Sequence, residues 1–597
     1  MLQTKMKISS KKMKSYRKII LPLCATLFVP VVSAQSVDAD TVFTRDIDIV
    51  REYTPKIKDA GKINTLPKPE VSEQPSKVEV NYDSWTTPLE SAQFDLRQLP
   101  AATIKKIRQQ QYLREGYARI GAGNYTSFLG DFYAPIVRKN DMLFDVFYNH
   151  LSSFGKVKLD NDEKVRAKNM TNSLALGFEK NFVPLQFSLD ASYARNDFNY
   201  YGLDSLKNGV LYGDEENAVV GVDLRPRHNR DAHNFFSFNA GIVSNKRVAA
   251  IDYYANAGYD LTKTYTGLSE HWMNISGGLN RSRDRYDIGS DFKFEGLVYN
   301  SPAANGPFFS NMPEEQFDSY GILRVAPFYR IKGETWHVKI GFKGAFTFNR
   351  EPSVAFSPNV DAKVALVRDI FYFYANVTGD LKNNTMKRVF EENRYFRPDC
   401  QVENTYVPID ASIGFKTKIY NDLIFNVSAG YKMLQDDYFF VNHADTVNNF
   451  YAYDNTFSFV KDNVNLLTAG AALAYNWQKR VEVMLEGNYY HWALDEQAKA
   501  WHRPDWKIDL SATYRVNDDI RLALNAYMYG ARYAKGADEK AVKLDPVFDI
   551  NLEGVYELNS WLSFYAKLNN ILAQNYHIWY GYNSQRFNFM AGMVLSF

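Results

Sequence analysis

Cysteine is nearly absent: Cys24 and Cys400 are the only two in 597 residues. Cys24 falls in an N-terminal segment expected to be removed, so the mature chain can form no intramolecular disulfide and depends on packing and hydrogen bonds. A predominance of one charge is lacking too. With 70 basic and 68 acidic residues the formal net charge is +2, which excludes the basic footprint of a nucleic-acid binder and an acidic disordered tail. Beyond the first 34 residues no apolar run approaches the roughly 20 residues of a transmembrane helix. A phosphate-cradling loop, zinc-ligand spacing and a paired-carboxylate motif are also missing, so no cofactor and no metal are expected.

Aromatic residues are in excess: 41 Tyr and 41 Phe bring the aromatic content to 15% against an ordinary 46% hydrophobic content. A soluble core does not require so many, and a lipid interface is one use for them.

The start of the chain reads as an export signal. Lys5, Lys7, Lys11, Lys12, Lys14, Arg17 and Lys18 precede the apolar run IILPLCATLFVPVV, and Val32-Ser33-Ala34 supplies the small residues of a cleavage site. Residues 1–34 are predicted to be a signal peptide, with Met13 as an alternative start. Residues 35–112 are predicted to be a periplasmic Pro- and Lys-rich segment, largely extended, because REYTPKIKDAGKINTLPKPEVSEQPSK has few periodic apolar residues.

From Leu113 to Phe597 the apolar period is two. In DWKIDLSATYRV, Trp506, Ile508, Leu510, Ala512, Tyr514 and Val516 take one face and Lys507, Asp509, Ser511, Thr513 and Arg515 the other. Such stretches run to the 9 to 11 residues that cross a bilayer, longer than the five or six usual in a sandwich. Short turns at RKND, KNFVP, IKGET, VRDI, IYND, WQKR, VNDD and LNS interleave with longer connections at 156–168, 195–215, 283–318, 382–404, 435–461 and 571–584. This pattern predicts an all-β fold, a transmembrane antiparallel β-barrel of about 22 strands (range 16–22) with short periplasmic turns and long extracellular loops. An even count puts both termini in the periplasm of a Gram-negative cell, with the barrel among outer-membrane lipids.

The signal, the strand pairs and the aromatic C-terminus together resemble an outer-membrane barrel of the TonB-dependent-receptor type. The closing stretch RFNFMAGMVLSF, with Phe587, Phe589, Met593, Leu595 and Phe597 on one face, resembles the C-terminal signal read by the barrel assembly machinery. The resemblance implies a receptor-like or transport barrel that is not an enzyme. It departs from the family where a plug domain belongs, because 35–112 is too short and polar to match one. A short strand within DTVFTRDIDIVREYTP, residues 40–55, could pair with a periplasmic TonB-like partner, although an unstructured leader fits the same residues. The alternative function is a structural or accessory barrel subunit of an outer-membrane complex, and an outer-leaflet phospholipid hydrolase is the third; a lipoprotein is the other candidate for the periplasmic partner.

Two sets of polar residues carry whatever chemistry the strands offer. Glu482, Glu486, Lys507, Asp509, Arg515, Arg521, Asp549, Glu553 and Lys567 are expected to face the lumen, and their mixed signs give no ion preference. On the lipid side, Met142, Phe144, Val146 and Tyr148 set the parity that turns His150 and Ser152 outward, and Met170, Leu174, Leu176 and Phe178 do the same for Asn172. That set resembles the site of outer-membrane phospholipase A, in which a base activates a serine and an amide orients the base. Polar strand ends reaching headgroups and water explain the same residues without catalysis. Tyr148, Tyr489, Trp506 and Tyr514 are expected in interfacial girdles, while NYHIWYGYN, residues 575–583, either meets a ligand or packs its own loop.

Overall fold

A computed structural model describes residues 116–597 apart from 161, 203–209, 212–217, 220–229, 246–250, 301–316, 369, 421–422, 448–449, 479 and 537–538. The expected signal peptide, the segment 35–112 and the short strand within 40–55 lie outside the described residues.

The alternating stretches form one antiparallel sheet that closes on itself. Its 23 hydrogen-bonded segments amount to 22 strands, because Val354–Pro358 and Val360–Val367, with only Asn359 between them, both pair with Trp336–Phe348. The first strand, Tyr117–Gly123, lies between Ser127–Lys139 and the last strand, Asn588–Ser596. Closure joins the first strand to the last, which removes the lateral edges that an open sheet would present to lipid; Val354–Pro358 is laddered on one side only, and the Tyr406 hydroxyl meets the Phe356 backbone on the other.

Side chains divide by parity as a two-residue period requires. On the last strand Phe589, Met593 and Leu595 are exposed while Asn588, Met590, Val594 and Ser596 are buried. The exposed face is apolar over the whole circumference, as Ile275, Phe292, Ile340, Ile413 and Phe564 illustrate, which is the surface a bilayer solvates.

The eight short turns fall at the end that holds both described termini, where Gly116 and Phe597 exchange backbone hydrogen bonds of 2.9 and 3.0 Å. The strand ends that flank the longer connections lie at the other end. Two expected loops are different in fact. Within 283–318, Tyr286–Asn300 is a full strand whose Asp287, Asp291, Lys293 and Glu295 alternate with Ile288, Phe292 and Phe294; its charges belong to the lumen face. Residues 435–461 largely extend the strands Leu423–Val447 and Phe450–Trp477 beyond their neighbours. There Tyr438, Phe439, Phe440 and Val441 are buried in succession, because both faces of the hairpin are covered and alternation disappears. The connection 382–404 holds a short helix, α1, Met386–Glu392.

Candidate functional site

Helix α1 begins where Thr385 accepts the Arg388 backbone N–H at 3.3 Å. Met386, Val389 and Phe390, spaced i, i+3 and i+4, form one buried stripe. It packs against the inner face of the wall near the loop end, on Phe235, Leu297, Tyr299, Tyr320 and Ile322. Glu270, buried on the wall, accepts the Met386 N–H at 2.7 Å, the Lys387 N–H at 3.3 Å and the Tyr299 hydroxyl at 2.8 Å. A carboxylate there satisfies two of the helix's orphan donors and opposes its positive end. Lys387 reaches Asp260 at 2.8 Å, and Phe390 stacks on His233 with centroids 4.1 Å apart.

Two more segments join the helix in this core. After α1 the chain pairs with the long hairpin, Arg397 N–H to Phe457 carbonyl at 2.9 Å and Phe457 N–H to Tyr395 carbonyl at 3.0 Å. From the last connection, Trp579 and Tyr582 enter, with Tyr582 stacked on Tyr395 at 3.8 Å and its hydroxyl on the Asn455 carbonyl at 2.6 Å. Of the residues expected to meet a ligand or pack their own loop, Tyr576, Trp579 and Tyr582 are buried. At the loop end these segments share one largely aromatic buried core with the wall.

Two buried polar side chains bind backbone groups within it. His502 stands between Phe457 and Trp579; its Nδ1 donates to the Phe440 carbonyl at 3.0 Å, and its Nε2 accepts the Tyr580 N–H at 3.3 Å. Burial pulls its pKa down to about 3, so the imidazole stays neutral. Arg532 donates to the Ile578 carbonyl at 2.9 Å and to the His577 carbonyl, and burial lowers its pKa to about 10. At the rim, His577 meets Asp160 at 2.8 Å and holds that carboxyl below its usual value, tying the last connection to 154–168.

Along the wall, Lys507 pairs with Asp509 at 2.9 Å, and Lys567 stands opposite Glu553 with 3.9 Å between charges. Asp549 accepts the Tyr576 hydroxyl at 2.7 Å. Like signs also face each other in the ladder: Glu486 opposite Asp509, and Arg515 opposite Arg521. Glu482 lies across from Thr513. Sequence reasoning missed the buried Arg119–Asp131 pair beside the seam, with Nε 2.7 Å from Oδ2. A recess of about 270 Å³ opens nearby, lined by Tyr117, Tyr133, Asp145, Gly177 and Asp190.

On the outer face Phe587, Phe589, Met593, Leu595 and Phe597 are exposed, as are Tyr148, Tyr489 and Tyr514, while Trp506 is half-buried. His150 and Ser152 share that face, and Asn172 is His150's direct ladder partner. His150 Nδ1 lies 2.7 Å from Asn172 Oδ1, and Nε2 lies 3.1 Å from Ser152 Oγ.

No family model matches the chain, and no curated protein resembles it in sequence. Solved structures do share its fold. The ferric-catecholate import receptor Fiu from E. coli K12 aligns with a TM-score of 0.58 and 11% identity over 81% of this chain and 82% of that one. FpvA of P. aeruginosa, solved with a ferric pyoverdine, gives 0.57 and 12% over 81% and 72%. The siderophore receptor PirA from Acinetobacter baumannii gives 0.57 and 10% over 81% and 80%. The likeness shows the fold alone: a closed 22-strand barrel like the barrels of these receptors.

Proposed function

We propose that the chain is an outer-membrane transport barrel of the receptor kind, closed at rest by its own loops, with the loop end outward and both termini in the periplasm. The observation that carries this reading is the buried core of α1, the long hairpin and the last connection inside the loop end of the lumen. Fully burying Met386, Val389 and Phe390 contributes about 1.5–3 kcal/mol each, so this mouth does not open by thermal fluctuation alone. Passage then needs a ligand or partner that binds the open state more tightly than the closed one. The fold shared with siderophore import receptors supports the assignment, and the short-turn end at the termini supports the orientation. The cargo is unassigned: the wall carries charges of both signs, some like charges side by side, and favours neither anions nor cations as a whole.

Planar-bilayer recording tests the reading. The wild-type barrel should be electrically silent, and Phe390→Asp, which places a charge in the core, should produce discrete conductance steps. Stable large conductance from the wild type would overturn it. Recovery under mild detergent only in a fixed-stoichiometry complex with other outer-membrane proteins would favour the accessory role instead.

A further inference from the structure

We propose that His150, Ser152 and Asn172 form an ester-cleaving site on the outer wall of the barrel, with the acyl esters of membrane phospholipids as its substrate class. The site is independent of the lumen and of whatever the lumen carries.

Its geometry follows from the ladder. His150 and Ser152 are two apart on Met142–Ser153 and so share a face; Leu151 between them points inward to Leu129 and Met590. Asn172 lies directly across from His150 on one side and Gly130 on the other. The Asn172 carbonyl oxygen can only accept, and it also receives the Tyr148 hydroxyl at 3.3 Å. At 2.7 Å it therefore fixes the proton on His150 Nδ1. That tautomer leaves Nε2 as an acceptor 3.1 Å from Ser152 Oγ. Nucleophile, base and orienting group thus stand in the order and at the spacing that serine hydrolysis requires.

The surroundings suit a lipid ester. Phe128, the ladder partner of Ser152, is exposed on the same face, and its ring stands 5.7 Å from the imidazole over the space that Gly130 leaves open. Ser152 itself is only 3% exposed, so an ester reaches its Oγ only by displacing neighbouring side chains. From Met142 to Ser152 the strand rises roughly 33 Å along its own direction, or about 23 Å in height at a tilt of ~45°, against an outward apolar band of about 25 Å. Ser152 therefore sits at the edge of the hydrocarbon, where glycerol esters lie.

In the reaction Ser152 Oγ attacks the ester carbonyl as His150 Nε2 takes its proton. The C–O bond to glycerol breaks, and His150 returns the proton to the departing alkoxide, releasing lysophospholipid. Water, deprotonated by His150, then cleaves the acyl-serine; the products are a fatty acid and free Ser152, so one water is consumed per ester.

Full-length protein in vesicles of phosphatidylethanolamine and phosphatidylglycerol provides the test. Wild type should release fatty acid and lysophospholipid in equal amounts, Ser152→Ala should lower the rate at least about 100-fold, and Asn172→Ala at least about tenfold. A fluorophosphonate should label Ser152 in the wild type and leave it unlabelled in His150→Phe, a readout that a merely structural role would not give. Heat-modifiable gel mobility certifies that each variant is folded. A wild type that turns over no phospholipid overturns the proposal, whether or not Ser152 is labelled, as does turnover that survives Ser152→Ala.

Discussion

At the scale of single residues, His502 makes the loop-end core sensitive to acid. Its folded pKa is about 3 because burial disfavours the charged ring, whereas an unfolded histidine titrates near 6.5. Between those values the unfolded chain binds more protons, so the stabilisation is complete above about pH 6.5 and declines as pH falls toward 3, by about 1.4 kcal/mol per unit. Asp160 acts in a different window: its pKa is depressed by His577, so its contribution is intact above the ordinary carboxylate range and is lost only below it. Hydrogen exchange at the Tyr580 amide, corrected for intrinsic rate, should therefore accelerate between pH 6.5 and 4.5 in the wild type. In His502→Phe exchange should be faster throughout but flat over that interval. An equal slope in the variant would place the titrating group elsewhere.

At the scale of elements, α1 depends on the wall as much as on its own residues. Seven residues are too few for a helix to persist unaided in water, and Glu270 satisfies two of the backbone donors at its start. Glu270→Ala removes these bonds and the one from Tyr299, at a cost of about 3 kcal/mol to helix docking. Limited proteolysis should then cut within 383–404 at least tenfold faster while the barrel still migrates as folded; unchanged cleavage would show that apolar packing alone holds the helix. This element also marks where reading the sequence fell short. Met386, Val389 and Phe390 stand at helical spacing after Thr385, but so brief a signal between long strands reads as a loop. The strand Tyr286–Asn300 was obscured by its lumen charges, and the hairpin extension by losing its alternation once both faces were covered. Elsewhere the outward parity of residues 142–153 and 169–178 was legible because lipid tolerates only one pattern. The ladder offset that sets Asn172 across from His150 was not, because it depends on where two separate strands meet.

For the whole molecule the seam decides whether 22 strands make a barrel or an open sheet. It is narrow: Tyr117–Gly123 meets the last strand through seven residue pairs. Packing reinforces it on the outside, where the Phe597 ring crosses Gly116 to stack on Phe132 at 6.1 Å. A Cβ at position 116 would lie 2.5 Å from that ring, so glycine is what lets the last residue reach the second strand. Ala122 and Ala591 stand directly opposite each other across the seam, both exposed and both small. The double substitution Ala122→Cys with Ala591→Cys should oxidise to an intramolecular disulfide in the closed register. Ala122→Cys with Met590→Cys, one residue out of register and on opposite faces, should not. The cross-link should also raise resistance to urea by about 2–4 kcal/mol, since it constrains nearly the whole unfolded chain. Equal cross-linking of both pairs would mean that the seam slips, and with it the parity that puts Phe597 toward lipid and Arg119 toward the lumen.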